Sequence, residues 1–76
     1  MSPMKVEIQT EYIKLDQLLK FSGIAESGSM AKDMIAAENV LVNGQVCTMR
    51  GKKLYHGDRI AVLEDDGSID IVVERS

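Results

Sequence analysis

Arg50-Gly51-Lys52-Lys53 carries the clearest chemistry in this sequence. Three cations in four residues can neutralise neighbouring phosphates, and a glycine among them lets the backbone approach a ligand closely. The bland reading is a solvated loop whose charges keep a small protein soluble. Lys32 is the next candidate. It is expected on the outer face of a helix, in the first turn, where free backbone amides already favour an anion. A lysine suits that end of a helix dipole poorly, which points to a ligand rather than to the helix. Lys14 reads equally as a phosphate ligand or a surface residue, and Lys20 more as a surface residue. Ser27 and Ser29 read as helix caps, although a capping hydroxyl can also hold a phosphate. Asn43 is first a turn residue, with a ligand contact as its second reading.

Other chemistries find little support. His56 is a lone histidine in a turn, without a Cys, His or paired acid at metal-ligand spacing. Cys47 has no motif around it and reads as a small apolar group. Asp65-Asp66 precede Gly67 as a hairpin turn more cheaply than as a metal pair. No glycine-rich phosphate loop, nucleophile–base pair or carboxylate dyad stands out, so neither an enzyme nor a cofactor or metal is expected. Tyr55 reads as a half-buried packing residue, and Met30 and Met34 as core by their spacing. One Phe and two Tyr are too few for a single-strand stacking groove.

Charge distribution sharpens this. The net charge is −3, which by itself argues against nucleic acid. Residues 60–76 carry one Arg against five acids, whereas residues 14–59 carry seven Lys/Arg against five acids. A ligand responds to the local field, so the middle of the chain is where an anion would bind. The 76 residues predict one small domain of modest stability. With one Cys no intrachain disulfide can form, which fits a reducing compartment. No apolar run approaches the ~20 residues of a membrane span, and no signal-peptide core opens the chain. The expectation is a cytoplasmic monomer without membrane contact.

The elements that would position these residues follow from periodicity. Val40-Leu41-Val42-Asn43-Gly44-Gln45-Val46 places Asn-Gly between apolar runs, a tight-turn hairpin whose central residues need positive φ. A helix over 29–38 leads into it, with Asn39 at the left-handed stop. A shorter helix over 15–22 presents Leu15, Leu18 and Leu19 as a stripe and ends at Gly23. Ile24 and Ala25 anchor the linker between them. Met1 to Met4, with Pro3, reads as a loose terminus. Lys5 to Gln9 alternates as a strand, and Thr10 to Ile13 is either a connection or a first helical turn capped by Thr10. Residues 47–53 are too polar for a core strand; Leu54 and Tyr55 tuck back onto the sheet. His56-Gly57-Asp58 is a turn, and 59–63 and 69–73 are strands flanking Asp65-Asp66-Gly67. The sum is an α+β fold: two short helices on a small, mostly antiparallel sheet.

This order resembles the RNA-binding domain of ribosomal protein S4, the αL motif. Lys14-Leu15-Asp16-Gln17-Leu18-Leu19, Ser27-Gly28-Ser29-Met30-Ala31-Lys32, Val40-Leu41-Val42-Asn43-Gly44 and Gly57-Asp58-Arg59-Ile60 carry the likeness. Glu11-Tyr12-Ile13 and Arg50-Gly51-Lys52-Lys53-Leu54-Tyr55 look most like its small stand-alone bacterial members, the YaaA/YbcJ type. The likeness runs from about Glu11 to Leu63, within one domain over 1–76. It implies binding to structured RNA, ribosomal or transfer, and a possible ribosome partner, through Lys14, Ser27, Ser29, Lys32, Asn43, Arg50, Gly51, Lys52 and Lys53. The family's usual arginines are Lys14, Gly28 and Lys32 here, so the planar fork that Arg offers to phosphate is missing. The competing reading is a protein-interaction adaptor of the same fold that uses the acidic 64–74 hairpin.

Overall fold

Alternating apolar residues build the sheet. In the computed structural model, which describes residues 3–76, the strands are β1 (Met4–Ile8), β2 (Ile13–Lys14), β3 (Val40–Val42), β4 (Gln45–Val46), β5 (Lys53–Leu54), β6 (Arg59–Glu64) and β7 (Gly67–Arg75). The helices are α1 (Leu15–Phe21) and α2 (Gly28–Ala36). Five strands pair in the order β1-β7-β6-β3-β4, and β2 and β5 form a separate ladder. All pairs are antiparallel except β1 with β7. Met4 already belongs to β1, so the expected loose terminus is narrower than residues 1–4. Its first two positions lie outside the described residues.

One face of the sheet is the core face. Val6 and Ile8, Val40 and Val42, Ile60 and Val62, Ile71 and Val73 each sit two apart and point the same way. Leu15, Leu18 and Leu19 of α1 and Ala31 and Ile35 of α2 close over them, with Leu54 and Ala25 filling the margin. The opposite face, where Leu41, Ala61 and Val72 are half-buried, stays partly solvated, as antiparallel sheets allow. This is the expected α+β arrangement.

The hairpin at Asn43-Gly44 forms as read: both residues have positive φ, 51° and 87°. Asn43 does more than turn the chain. Its side-chain oxygen accepts from the Arg59 backbone N–H at 3.0 Å, and its NH2 donates to the Asp58 carboxylate at 3.2 Å. The other Asp58 oxygen accepts from the Tyr55 backbone N–H at 2.8 Å. One amide and one carboxylate thus staple the hairpin to the Tyr55–Asp58 turn. His56 takes part in the same corner, its Nδ1 accepting from the Arg75 backbone N–H at 3.0 Å.

Four expectations are corrected. α2 starts and stops earlier than 29–38. Ser27 is its cap, accepting from the Met30 N–H at 3.2 Å, and Ser29 lies inside the helix. The left-handed residue that ends it is Glu38, φ 63°, rather than Asn39. Glu38 N–H bonds to the Ile35 carbonyl and Asn39 N–H to the Met34 carbonyl, the paired bonds of a Schellman stop. Met30 is 44% exposed: helical phase makes Ala31 and Ile35, four apart, the buried pair, so Met30 lies off that stripe and Met34 only packs at the edge. Tyr55 is also 44% exposed; only Leu54 turns inward, and Tyr55 follows it just past the end of β5. Between the two readings of Thr10 to Ile13, the cap fails. The Thr10 hydroxyl donates to the Tyr12 carbonyl at 2.8 Å, and Ile13-Lys14 is strand β2.

Candidate nucleic-acid interface

The β2–β5 ladder assembles most of the candidate cations. It registers Ile13 opposite Leu54 and Lys14 opposite Lys53. Leu54 is fully buried, so the neighbouring Lys53 must face outward, and Lys14 with it. The preceding loop is tied to the same place. The Lys52 N–H bonds to the Met49 carbonyl at 3.1 Å, closing a turn with Arg50 and Gly51 at its centre. The carbonyls of Arg50 and Lys52 then accept from the Asp16 and Leu15 N–H groups, at 3.1 and 2.9 Å. Those are free amides of the first turn of α1, which need acceptors. The loop caps the helix with its backbone and leaves its side chains to solvent.

Arg50, Lys52, Lys53 and Lys14 are all exposed, and among the described residues none of them forms an ion pair. Among the described residues the one ion pair is Lys5–Glu74, 3.9 Å, on the β1–β7 side. Gly51 has open space where a Cβ would stand, so nothing within the chain demands a glycine there. Asn43 lines a shallow concavity together with Lys52, Lys53 and Tyr55. Its amide is already engaged with Asp58 and Arg59, so its part in this surface is to fix the turn.

Ser27, Ser29 and Lys32 form a separate group on α2 and its cap. With the helix beginning at Gly28, Lys32 is its fifth residue, just past the first turn, and exposed. Lys20 stands on the exposed side of α1 and lines a groove that also takes in Lys14.

One participant went unread in the sequence. Tyr12 stands beside β2 with the Lys53 ammonium 4.9 Å from its ring centroid, a cation–π contact. The Tyr55 ring packs against it, centroids 6.0 Å apart and tilted by 52°. Tyr12 and Tyr55 are 43 positions apart in the chain and meet only because β2 pairs with β5. A two-residue ladder leaves no periodicity to read.

Comparison with known proteins agrees with this architecture. The model of the S4 domain matches residues 6–72. A Bacillus subtilis (strain 168) protein described as probable ribosome maturation protein RlbA is 42% identical over 67 residues, covering 88% of this chain and 93% of that protein.

Proposed function

The chain belongs to the S4 domain family, and from that premise we propose that it is a non-catalytic, cytoplasmic RNA-binding protein that grips structured RNA mainly by its phosphates. The observation that carries the reading is Lys14 opposite Lys53, with the Arg50–Lys52 turn pinned beside them. Cross-strand like charges cost stability when nothing lies between them, and a phosphate between them reverses the sign. Arg50, Lys52, Lys53 and Lys14 act as phosphate ligands, Gly51 leaves room for the approaching backbone, and Asn43 holds the adjoining turn. Lys32 adds a further cation from α2, with Ser27 and Ser29 at its helix start. The relative described as a ribosome maturation protein favours ribosomal RNA over transfer RNA as the class.

Phosphate contacts position a protein and carry little sequence information, so sequence preference is weak and salt dependence steep. With about four contacts, log K falls against log salt with a slope of roughly −3 to −4. A salt titration of binding to a ribosomal RNA hairpin tests this. If affinity shows no salt dependence the RNA reading fails, and the adaptor reading, built on the acidic hairpin of 64–74, takes its place.

A further inference from the structure

The three aromatic residues of this chain, Tyr12, Phe21 and Tyr55, all lie outside its core. That core is aliphatic throughout, although aromatic rings are the largest apolar side chains a small fold can bury. Phe21, the last residue of α1, is 68% exposed. Helical phase explains the exposure: Leu15, Leu18 and Leu19 hold the buried stripe, and Phe21 lies two residues beyond it, about 200° round from Leu19.

Phe21 shares an open groove with Tyr12, and Lys14, Gln17 and Lys20 complete its polar rim. Tyr12 is held in place by Tyr55 and by the Lys53 ammonium. Among the described residues no carboxylate lines the groove. The Gln17 side-chain oxygen accepts from the Lys14 backbone N–H at 3.4 Å, which leaves the Gln17 NH2 to donate outward. An exposed ring, a second ring fixed in the same groove, two ammonium groups without an ion pair among the described residues and an amide donor match the parts of one nucleotide: a flat base, its polar edge and its phosphates.

We propose that this groove takes a single unpaired base, bulged or looped out of a folded RNA, stacked on Phe21 beside Tyr12, with the flanking phosphates on Lys14 and Lys20. This rests on the RNA-binding reading and adds a selectivity that phosphate contacts alone do not give. One pocket takes one base, so three aromatics are enough where a strand-long stacking groove would need more.

The test uses two RNA hairpins that differ by one bulged nucleotide, 2-aminopurine in the bulged form. Wild type, Phe21→Ala and Phe21→Tyr are titrated at several salt concentrations, with thermal melts as the folding check. Wild type should bind the bulged hairpin more tightly and change the 2-aminopurine fluorescence. Phe21→Ala should lose about 5- to 100-fold on the bulged hairpin, the usual worth of one stacked base, and nothing on the paired one. Phe21→Tyr should retain the preference. Equal wild-type affinity for both hairpins overturns the pocket and leaves the RNA reading standing, provided binding is salt-dependent. So does an equal loss on both in Phe21→Ala. Absence of salt-dependent binding to either hairpin overturns both.

Discussion

Lys14 and Lys53 stand directly opposite each other across the short ladder of β2 and β5. Two like charges in that position repel. Lys14 is also the N-cap residue of α1, at the end of the helix dipole that disfavours a cation. Its side chain caps nothing. Both local rules argue against lysine at position 14, and among the described residues no ion pair of its side chain compensates. The arrangement makes physical sense when an anion lies between the two ammonium groups.

Lys14→Glu should therefore separate stability from binding. It converts a repulsive cross-strand pair into an attractive one and suits the helix start, for a gain of about 0.2–1 kcal/mol in the free protein. Lys53 keeps its place over Tyr12. RNA affinity should fall and the salt slope should shrink by about one contact. Thermal melts and salt titrations of the one variant check both halves. A lower melting temperature, or unchanged affinity, contradicts the reading of this pair.

Gly44→Val should destabilise by roughly 1–3 kcal/mol, because a β-branched residue resists positive φ. A Cβ at Gly44 would meet no atom within 4 Å, so the whole cost is backbone strain rather than collision. Denaturant melts of the valine variant give the number. An unchanged midpoint would mean that the hairpin tolerates a different turn.

How legible such features were depended on how local their causes are. Asn43-Gly44 was readable because the turn chemistry lies in two adjacent residues. α1 was readable because Leu15, Leu18 and Leu19 repeat within one helix. α2 ends two residues earlier than read and its left-handed stop falls one residue earlier, because Asn is favoured there by type whereas the closing Schellman bonds centre on Glu38. Lys14, Arg50, Lys52 and Lys53 were each legible as candidates, but their meeting place was not. It depends on a ladder of two residues a side, about 40 positions apart in the chain. The same ladder hid Tyr12 and the outward turn of Tyr55.

Glu38→Gly should stabilise by up to about 1 kcal/mol. Glu38 holds φ 63°, which costs a non-glycine residue of order 1–2 kcal/mol, offset in part by the added freedom glycine has when unfolded. Its side chain is exposed and makes no recorded hydrogen bond or ion pair among the described residues. RNA affinity should stay the same, since Glu38 is outside the cation group. A drop in melting temperature would show that the carboxylate has a role that the backbone does not reveal.

The last prediction concerns Lys52 and Lys53 together. Both are exposed, and exposed lysines contribute little to folding, so changing the pair to Ala should leave the melting temperature nearly unchanged. The main stability term at risk is the contact of Lys53 with Tyr12, about 0.5–1 kcal/mol at an exposed site. The loop itself should persist, because the bonds that pin it run from the backbone carbonyls of Arg50 and Lys52 to the start of α1. Binding is a different matter. Two of the phosphate contacts disappear, so the slope of log K against log salt should flatten by about 1.5–2. Neutralising Glu64, Asp65 and Asp66 should act in the opposite sense, strengthening binding modestly by reducing the opposing field without adding a contact. Its slope should stay closer to wild type than that of the lysine variant. Salt titrations of the three proteins on one structured RNA separate the cases. A lysine variant that keeps the full slope would remove these two residues from the interface and leave Lys14, Lys32 and Arg50 to account for the binding.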